Sequence, residues 1–257
     1  MNKITEAFER KKAFIPFITA GDPDLSTTAD LILAMQDTGA DLIEIGIAFS
    51  DPVAEGPVIQ DADNRSLAAG TTTDKIFDMV NSIRDQIHIP FVFMTYINPI
   101  YVYGAERFAA KCKECGAAGV IVPDVPFEER GEIKDIFAEY GLTVISMIAP
   151  TSADRVRMIA EEAEGFVYCV SSLGVTGVRR ELDCSIKKLI DQVKEVKEIP
   201  CAIGFGISTP EQGKTMAAIS DGVIVGSAIV KIVEEHGTNC VPYVRDYVKA
   251  MKEAVSS

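Results

Sequence analysis

With 257 residues, 47% of them apolar and 25% charged, the chain has the makeup of an ordinary globular protein large enough for one sizeable core. Its formal net charge of −13 argues against nucleic acid or an anionic membrane as a partner, so any anionic ligand must be held by a local device rather than a basic surface. No apolar run approaches the roughly 18 residues of a membrane span, and the start, Met1-Asn-Lys-Ile-Thr-Glu-Ala-Phe8, lacks a signal-peptide core, so a cytoplasmic location is expected.

Ile4, Ala7 and Phe8 recur at helical spacing and predict a short amphipathic helix within residues 2–10. From there β-like and helical periods alternate to the end. Strands are expected at Ala13–Thr19, Asp41–Ala48, Phe91–Tyr96, Gly119–Pro123, Thr143–Ala149, Phe166–Ser171, Cys201–Gly206 and Gly222–Gly226. Helical patterns lie between them, among them Ala29–Thr38, Lys75–Ile87, Ala105–Cys115, Glu128–Tyr140, Asp154–Ala163 and Ser185–Val196. Eight βα units without a linker or low-complexity break predict one (β/α)8 TIM barrel spanning 1–257, with a doubly wound open sheet as the alternative. The connection from strand 2 to the next long helix is unusually long, and Pro57 and Gly70 mark the first turn and the end of a short extra helix within it.

In a barrel, function belongs to the βα loops at the C-terminal ends of the strands. Glu44, Asp51, Glu55, Tyr96, Asp124 and Tyr168 all fall there, whereas His88 precedes its strand and falls on the opposite face. Glu44 sits inside an apolar run, where an ionised carboxylate needs partners or a cavity. With Glu55 on the loop beyond, it forms a candidate pair of catalytic carboxyls; a satisfied core glutamate and a solvated loop acid form the alternative. Asp124, beside Pro123 and Pro126, reads as a turn residue. Only two histidines are present, His88 and His236, which disfavours a histidine-based triad or a His-rich metal site. Cys112 and Cys115 form a CxxC inside a helix with no second pair to complete a zinc site, so reduced structural thiols are expected.

The last three strands each run into glycine: Ser171-Ser-Leu-Gly-Val-Thr-Gly177, Gly204-Phe-Gly-Ile-Ser208 and Val225-Gly-Ser-Ala-Ile-Val230. Glycines let backbone N–H groups approach an oxyanion, and a helical segment after Gly226-Ser227 would add a favourable dipole. Barrels hold phosphate in this region, and three such loops on one rim favour phosphate over plain turns. The polar stretch from Ser172 to about Cys184, with Gly174 and Gly177 as hinges, reads as a lid, with an ordinary surface loop as the alternative.

At this point the sequence closely resembles the alpha subunit of tryptophan synthase along essentially its whole length. The resemblance rests on Pro16-Phe-Ile-Thr-Ala-Gly-Asp-Pro23, Glu44-Ile-Gly-Ile-Ala-Phe-Ser-Asp-Pro52, Gly174-Val-Thr-Gly177, Gly204-Phe-Gly-Ile-Ser208 and Gly226-Ser-Ala-Ile-Val230, all in the right order. It implies a (β/α)8 barrel that cleaves indole-3-glycerol phosphate to indole and glyceraldehyde 3-phosphate, without metal or cofactor. It also implies a partner, a pyridoxal-phosphate beta subunit that receives the indole within an alpha2-beta2 heterotetramer. By motif, the resemblance makes Glu44 the catalytic acid/base, Glu55 the second carboxylate and Tyr168 an active-site tyrosine. Phe17, Met94, Tyr96 and Ile121 would line the indole pocket, Gly177, Gly206, Gly226 and Ser227 the phosphate cradle, and Thr176 would belong to the lid.

Two departures stand out. The family usually has Asp where this chain has Glu55, and Pro where it has Ala48. The first lengthens the carboxylate by one methylene; the second loosens the backbone beside the catalytic strand. Three functions are therefore compared: a lyase working within an alpha–beta complex, a catalytically weak barrel acting mainly as allosteric partner of the beta subunit, and a stand-alone lyase releasing indole. Indole-glycerol-phosphate synthase would share the phosphate cradle but not the Glu44 motif.

Overall fold

The computed structural model describes residues 3–9, 12–150, 152–170, 179–204 and 206–257, with backbone alone over 179–184. Nine parallel segments make the sheet: β1 (Ala13–Thr19), β2 (Ile43–Gly46), β3 (Phe91–Met94), β4 (Gly119–Ile121), β5 (Thr143–Val144), β6 (Ser146–Ile148), β7 (Val167–Val170), β8 (Cys201–Gly204) and β9 (Gly222–Val225). Their order is β5-β4-β3-β2-β1-β9-β8-β7-β6. The two ends of that order are consecutive in the chain, separated only by Ile145. The strand over 143–148 therefore pairs with β4 through its first half and with β7 through its second. This single broken strand closes the ring into an eight-stranded barrel, and the open-sheet alternative is excluded.

Alternation along the strands sorts the core into two shells. Ile15, Leu42, Val92, Ile121, Ile145, Phe166, Ala202 and Ile224 fill the barrel interior. The alternate positions, such as Phe14, Ile43, Phe93, Val167 and Ile203, face the surrounding helices. The predicted N-terminal helix is a single turn, α1 (Lys3–Glu6), and its role is to plug the lower end of the barrel. Ile4 is fully buried in the interior cluster, and Phe8 packs on Phe166 with ring centroids 5.5 Å apart.

Polar caps start several outer helices. Asp24 accepts the Thr27 N–H at α2 (Leu25–Asp37), and Thr72 that of Lys75 at α4 (Thr73–Ile83). Between them stands α3 (Pro57–Ala68), which opens on Pro57 and is followed by Gly70 at φ +76°. A short helix that the sequence pattern hid, α5 (Ile97–Tyr103), follows β3; its Pro99 lies in the first turn, where a missing N–H costs no hydrogen bond. The outer ring continues with α6 (Ala105–Cys115), α7 (Gly131–Glu139), α8 (Ala153–Glu162), α9 (Arg179–Val196), α10 (Pro210–Ala217) and α11 (Ser227–His236). The last helix, α12 (Val241–Val255), packs across α10 and α2. No described helix is long and apolar enough to cross a membrane.

Candidate active site

Glu44 lies in the middle of β2 on the inward-facing register and is only 1% exposed. Burial first, and the neighbouring Glu55 second, push its carboxyl up to about 8. One oxygen, Oε2, has no hydrogen-bond partner among the described residues. Phe17 of β1 stands beside it in register. Two glycines hollow out the barrel mouth around this acid. A Cβ on Gly46 would lie 2.7 Å from the Phe17 ring, and one on Gly204 would lie 2.3 Å from the Tyr168 hydroxyl oxygen. Tyr168 thus lies across the end of β8, and its phenol is pushed up by burial and by the charge of Glu44.

Glu55 arrives from a different direction. The loop after β2 returns over the barrel mouth and leads directly into α3. Gln60 Nε2 donates to the Glu55 carbonyl at 2.8 Å, and the Ala54 N–H donates to the Tyr96 hydroxyl at 3.1 Å. Tyr96 is 1% exposed and packs on Phe49, so the loop rests on a buried aromatic strut. The helix itself is pinned to the loop after β1 by a bidentate pair from Arg65 to the buried Asp22, with both contacts at 2.8 Å. The Glu55 carboxyl, pushed up to about 8 by burial and by Asp63, hydrogen-bonds to Asp63, whose own carboxyl burial raises to about 6.

These side chains open into one cavity of about 570 Å³. Phe17, Ile59, Met94 and Ile224 form apolar walls around the two glutamates, while Gly206, Gly226 and Ser227 lie on the rim after β8 and β9. Ser227 is the first residue of α11 and Gly226 its N-cap, so the helix presents N–H groups to that rim. Two carboxyls that hold protons near neutrality, an aromatic-sized apolar chamber and a glycine-flanked helix start can together protonate and deprotonate an aromatic substrate anchored by an anionic tail.

The structure brings Glu44, Glu55, Tyr168, Phe17, Met94, Gly206, Gly226 and Ser227 to this one cavity. Tyr96 and Ile121 do not line it: the first supports the loop and hydrogen-bonds to Glu55 from behind, and the second belongs to the interior packing cluster. Thr176 and Gly177, with the lid as a whole, lie outside the described residues. Asp124 is structural, accepting the Ile97 N–H at 3.0 Å at the start of α5. Asp51 is exposed. The CxxC thiols Cys112 and Cys115 are buried under α6 with raised pKa values caused chiefly by burial. Sequence reasoning passed over Asp63, although a signal was present. Asp63 occupies the buried face of α3 with Ile59, Ala62 and Ser66, the spacing of an apolar stripe. An acid on such a stripe requires a partner.

Fold and cavity together define a barrel enzyme that works by carboxyl acid–base chemistry. Residues 4–256 match the family model described as tryptophan synthase alpha chain. The tryptophan synthase alpha chain of Lacticaseibacillus casei is 45% identical over 257 residues, covering 100% of this chain and 97% of that protein. That of Geobacter sulfurreducens is 46% identical over 249 residues, or 96% and 94% of the two chains. The crystal structure of tryptophan synthase subunit alpha from Legionella pneumophila superposes with a TM-score of 0.89 at 37% identity, covering 99% of this chain and 98% of that one. A chain of the aminoacrylate-bound tryptophan synthase of M. tuberculosis gives 0.89 at 28% identity, covering 99% and 100%. The chain belongs to the tryptophan synthase alpha chain family.

Proposed function

We infer that the chain is the indole-3-glycerol-phosphate lyase of tryptophan biosynthesis, cleaving its substrate to indole and glyceraldehyde 3-phosphate. The observation that carries the assignment of roles is Glu44, a carboxyl buried at the barrel mouth beside an apolar chamber and holding its proton to about pH 8. Glu44 delivers that proton to indole C3, which turns the indole into a cation and weakens the bond to the glycerol chain. The resulting Glu44 carboxylate takes the proton of the chain hydroxyl as the carbon–carbon bond breaks, and the acid is restored. Glu55 accepts the indole N–H and stabilises the positive charge that develops on nitrogen. Tyr168, stacked over Gly204, fixes the position of the Glu44 carboxyl.

Phe17 and Met94 hold the indole, and Gly206, Gly226 and Ser227 hold the phosphate at the start of α11. Gly177 and Thr176 enter this reading on the family motif alone. Tyr96 enters it as support of the Glu55 loop, and Ile121 as packing beneath the indole chamber. The chain works with a beta subunit. Val53, on the loop that carries Glu55, and Val102, on α5 at the same rim, are 79% and 82% exposed, an apolar face suited to that partner. One barrel domain over the whole chain and a cytoplasmic location complete the reading, the latter supported by five buried free thiols among the described residues.

The test is indole release by the purified chain with and without a beta subunit. Strong stimulation by the beta subunit is expected. High activity of the chain alone would favour a stand-alone lyase, and stimulation of the beta reaction without lyase turnover would favour a mainly allosteric partner.

A further inference from the structure

The loop that carries Glu55 is fastened at both ends to one side chain. Asp63, on the second turn of α3, is 3% exposed. It accepts the backbone N–H of Phe49, where the chain leaves β2, at 3.4 Å, and it hydrogen-bonds to the carboxyl of Glu55, the last residue before the helix N-cap. A hydrogen bond between two carboxyls requires one proton between them, because two carboxylates offer only acceptors. One Glu55 oxygen, Oε2, is buried without a donor among the described residues, as expected of an oxygen beside another carboxyl, and Glu55 also lines the cavity.

From this arrangement we propose that Asp63 is a positioning residue of the lyase reaction, sharing a single proton with Glu55 and taking that proton when positive charge develops on the indole nitrogen. The proposal rests on the assignment of Glu55 made above. At rest Glu55 is the carboxylic acid and donates to the Asp63 carboxylate. As C3 is protonated, the Glu55 O–H bond breaks and an Asp63 O–H bond forms. The pair keeps one negative charge throughout, and the charge moves one hydrogen bond closer to the indole. Transfer along a bond already in place requires no reorganisation of the loop.

The surrounding charges favour this sharing. Glu44 on β2 faces Glu55 and raises the cost of a second carboxylate beside it. Asp22, from the loop after β1, adds negative charge on the Asp63 side but is bound to Arg65 of α3, which also pairs with Glu234 of α11. Tyr96, at the start of α5, is neutral, its phenol pushed up by burial, and its hydrogen bond to Glu55 favours the carboxylate without outweighing burial and Asp63. The described residues place no cation directly on either member of the pair, so the shared proton is what balances them. The raised Glu55 carboxyl and the lower Asp63 carboxyl agree with a proton resting on Glu55.

The test is Asp63→Asn, nearly isosteric and still able to accept the Phe49 N–H but unable to take a proton. The ionisation of Glu55 is followed by NMR in protein labelled with 13C at glutamate carboxyls, the signal being assigned through Glu55→Gln. In the parent, Glu55 is expected to remain protonated at pH 7. In Asp63→Asn, which removes a neighbouring charge and offers an N–H donor, its midpoint is expected to fall by about one pH unit or more. In the lyase assay at saturating beta subunit, the parent's acid limb is set by the second proton of the pair, near the Asp63 value of about 6, whereas in Asp63→Asn it follows the Glu55 midpoint itself; the alkaline limb, set by Glu44, stays. A parent Glu55 that titrates in the ordinary carboxyl range would overturn the proposal without any variant, and so would an unchanged midpoint in Asp63→Asn. A midpoint that falls while the acid limb of Asp63→Asn does not follow it supports the shared proton and instead refutes the catalytic assignment of Glu55.

Discussion

Replacing Glu44 by glutamine removes one proton and almost no volume, and its consequences differ for chemistry, binding and stability. A carboxyl with a midpoint of about 8 is protonated roughly ten to one at pH 7, so the parent enters the reaction as the acid. General acid–base groups contribute about 10²- to 10⁴-fold each, and here one group performs both transfers. Glu44→Gln is therefore expected to lose turnover at or beyond the upper end of that range. Binding should survive. Glu44 Oε2 has no partner to lose among the described residues, and the proposed phosphate contacts lie on other loops.

Stability gives an independent reading of the same group. The folded midpoint of about 8 lies above the ordinary value of 4.5, so between those limits the folded state holds a proton that the unfolded chain releases. The contribution of Glu44 is fully present below about pH 4.5 and is lost as pH rises through about 8, at up to about 1.4 kcal/mol per pH unit. Glutamine does not titrate, so the variant should melt less steeply with rising pH and should exceed the parent in Tm above pH 8. The assays are indole release at saturating beta subunit, calorimetric binding of a glycerol-phosphate analogue, and thermal melts from pH 5 to 9. Turnover within a few-fold of the parent, or an unchanged slope of Tm against pH, would refute the reasoning.

Glu55→Ala should lower lyase turnover by about two to three powers of ten, the worth of a charge-assisted contact formed in the transition state. Glu55→Asp should lower it less, because the loop is fitted to the longer acid through Tyr96 and Asp63; a faster Asp variant would mean that the native Glu is a partial loss of function. Gly204→Ala puts a methyl 2.3 Å from the Tyr168 hydroxyl oxygen and should displace the ring, lowering kcat more than it alters overall melting. The reverse result would make Gly204 a packing residue. With Glu44 needed as acid and the Glu55–Asp63 pair as a single anion, turnover against pH should be a bell that falls above about 8, where Glu44 ionises, and below about 6, where Asp63 takes a second proton. A flat profile from pH 6 to 9 would contradict the two roles.

The barrel was legible because its strands are short apolar runs at regular spacing, and because Pro57 and Gly70 bracket the helix of the long loop. The extents were less so. Asp41–Ala48 and Phe91–Tyr96 contain only four ladder residues each, Ile43–Gly46 and Phe91–Met94, because an apolar run continues past the point where neighbouring strands stop pairing. The break at Ile145 was invisible, since the side chains of Thr143–Ile148 alternate as in an unbroken strand. The site was legible where its chemistry interrupts a pattern, as a glutamate does within an apolar strand. Tyr96 shows the limit. An aromatic at the end of a strand can face a cavity or support the next loop, and only the tertiary path of residues 49–56 assigns it to the loop. Asp63 was hidden for the opposite reason, as one polar residue among several on a helix whose buried face cannot be known before its neighbour is.

The proton inventory also bears on how a protein of net charge −13 accepts a phosphorylated substrate. Were Glu44, Glu55 and Asp63 all ionised, each would repel a phosphate charge at about 7 Å by on the order of 2 kcal/mol at an effective dielectric near 20. Burial removes most of that repulsion. At pH 7 Glu44 is neutral, and Glu55 with Asp63 carries one charge between them. On the proposed roles, the same desolvation that makes Glu44 a competent acid opens the cavity to an anion, while the start of α11 supplies the attraction. The charge reappears only when it has a counterpart. In the proposed reaction Glu44 becomes a carboxylate as its proton reaches C3, and at that moment the indole becomes a cation a few atoms away. Negative charge is thus withheld while the phosphate enters and is released as the carbon–carbon bond breaks, which links the affinity of the site and its turnover to the burial of one strand residue.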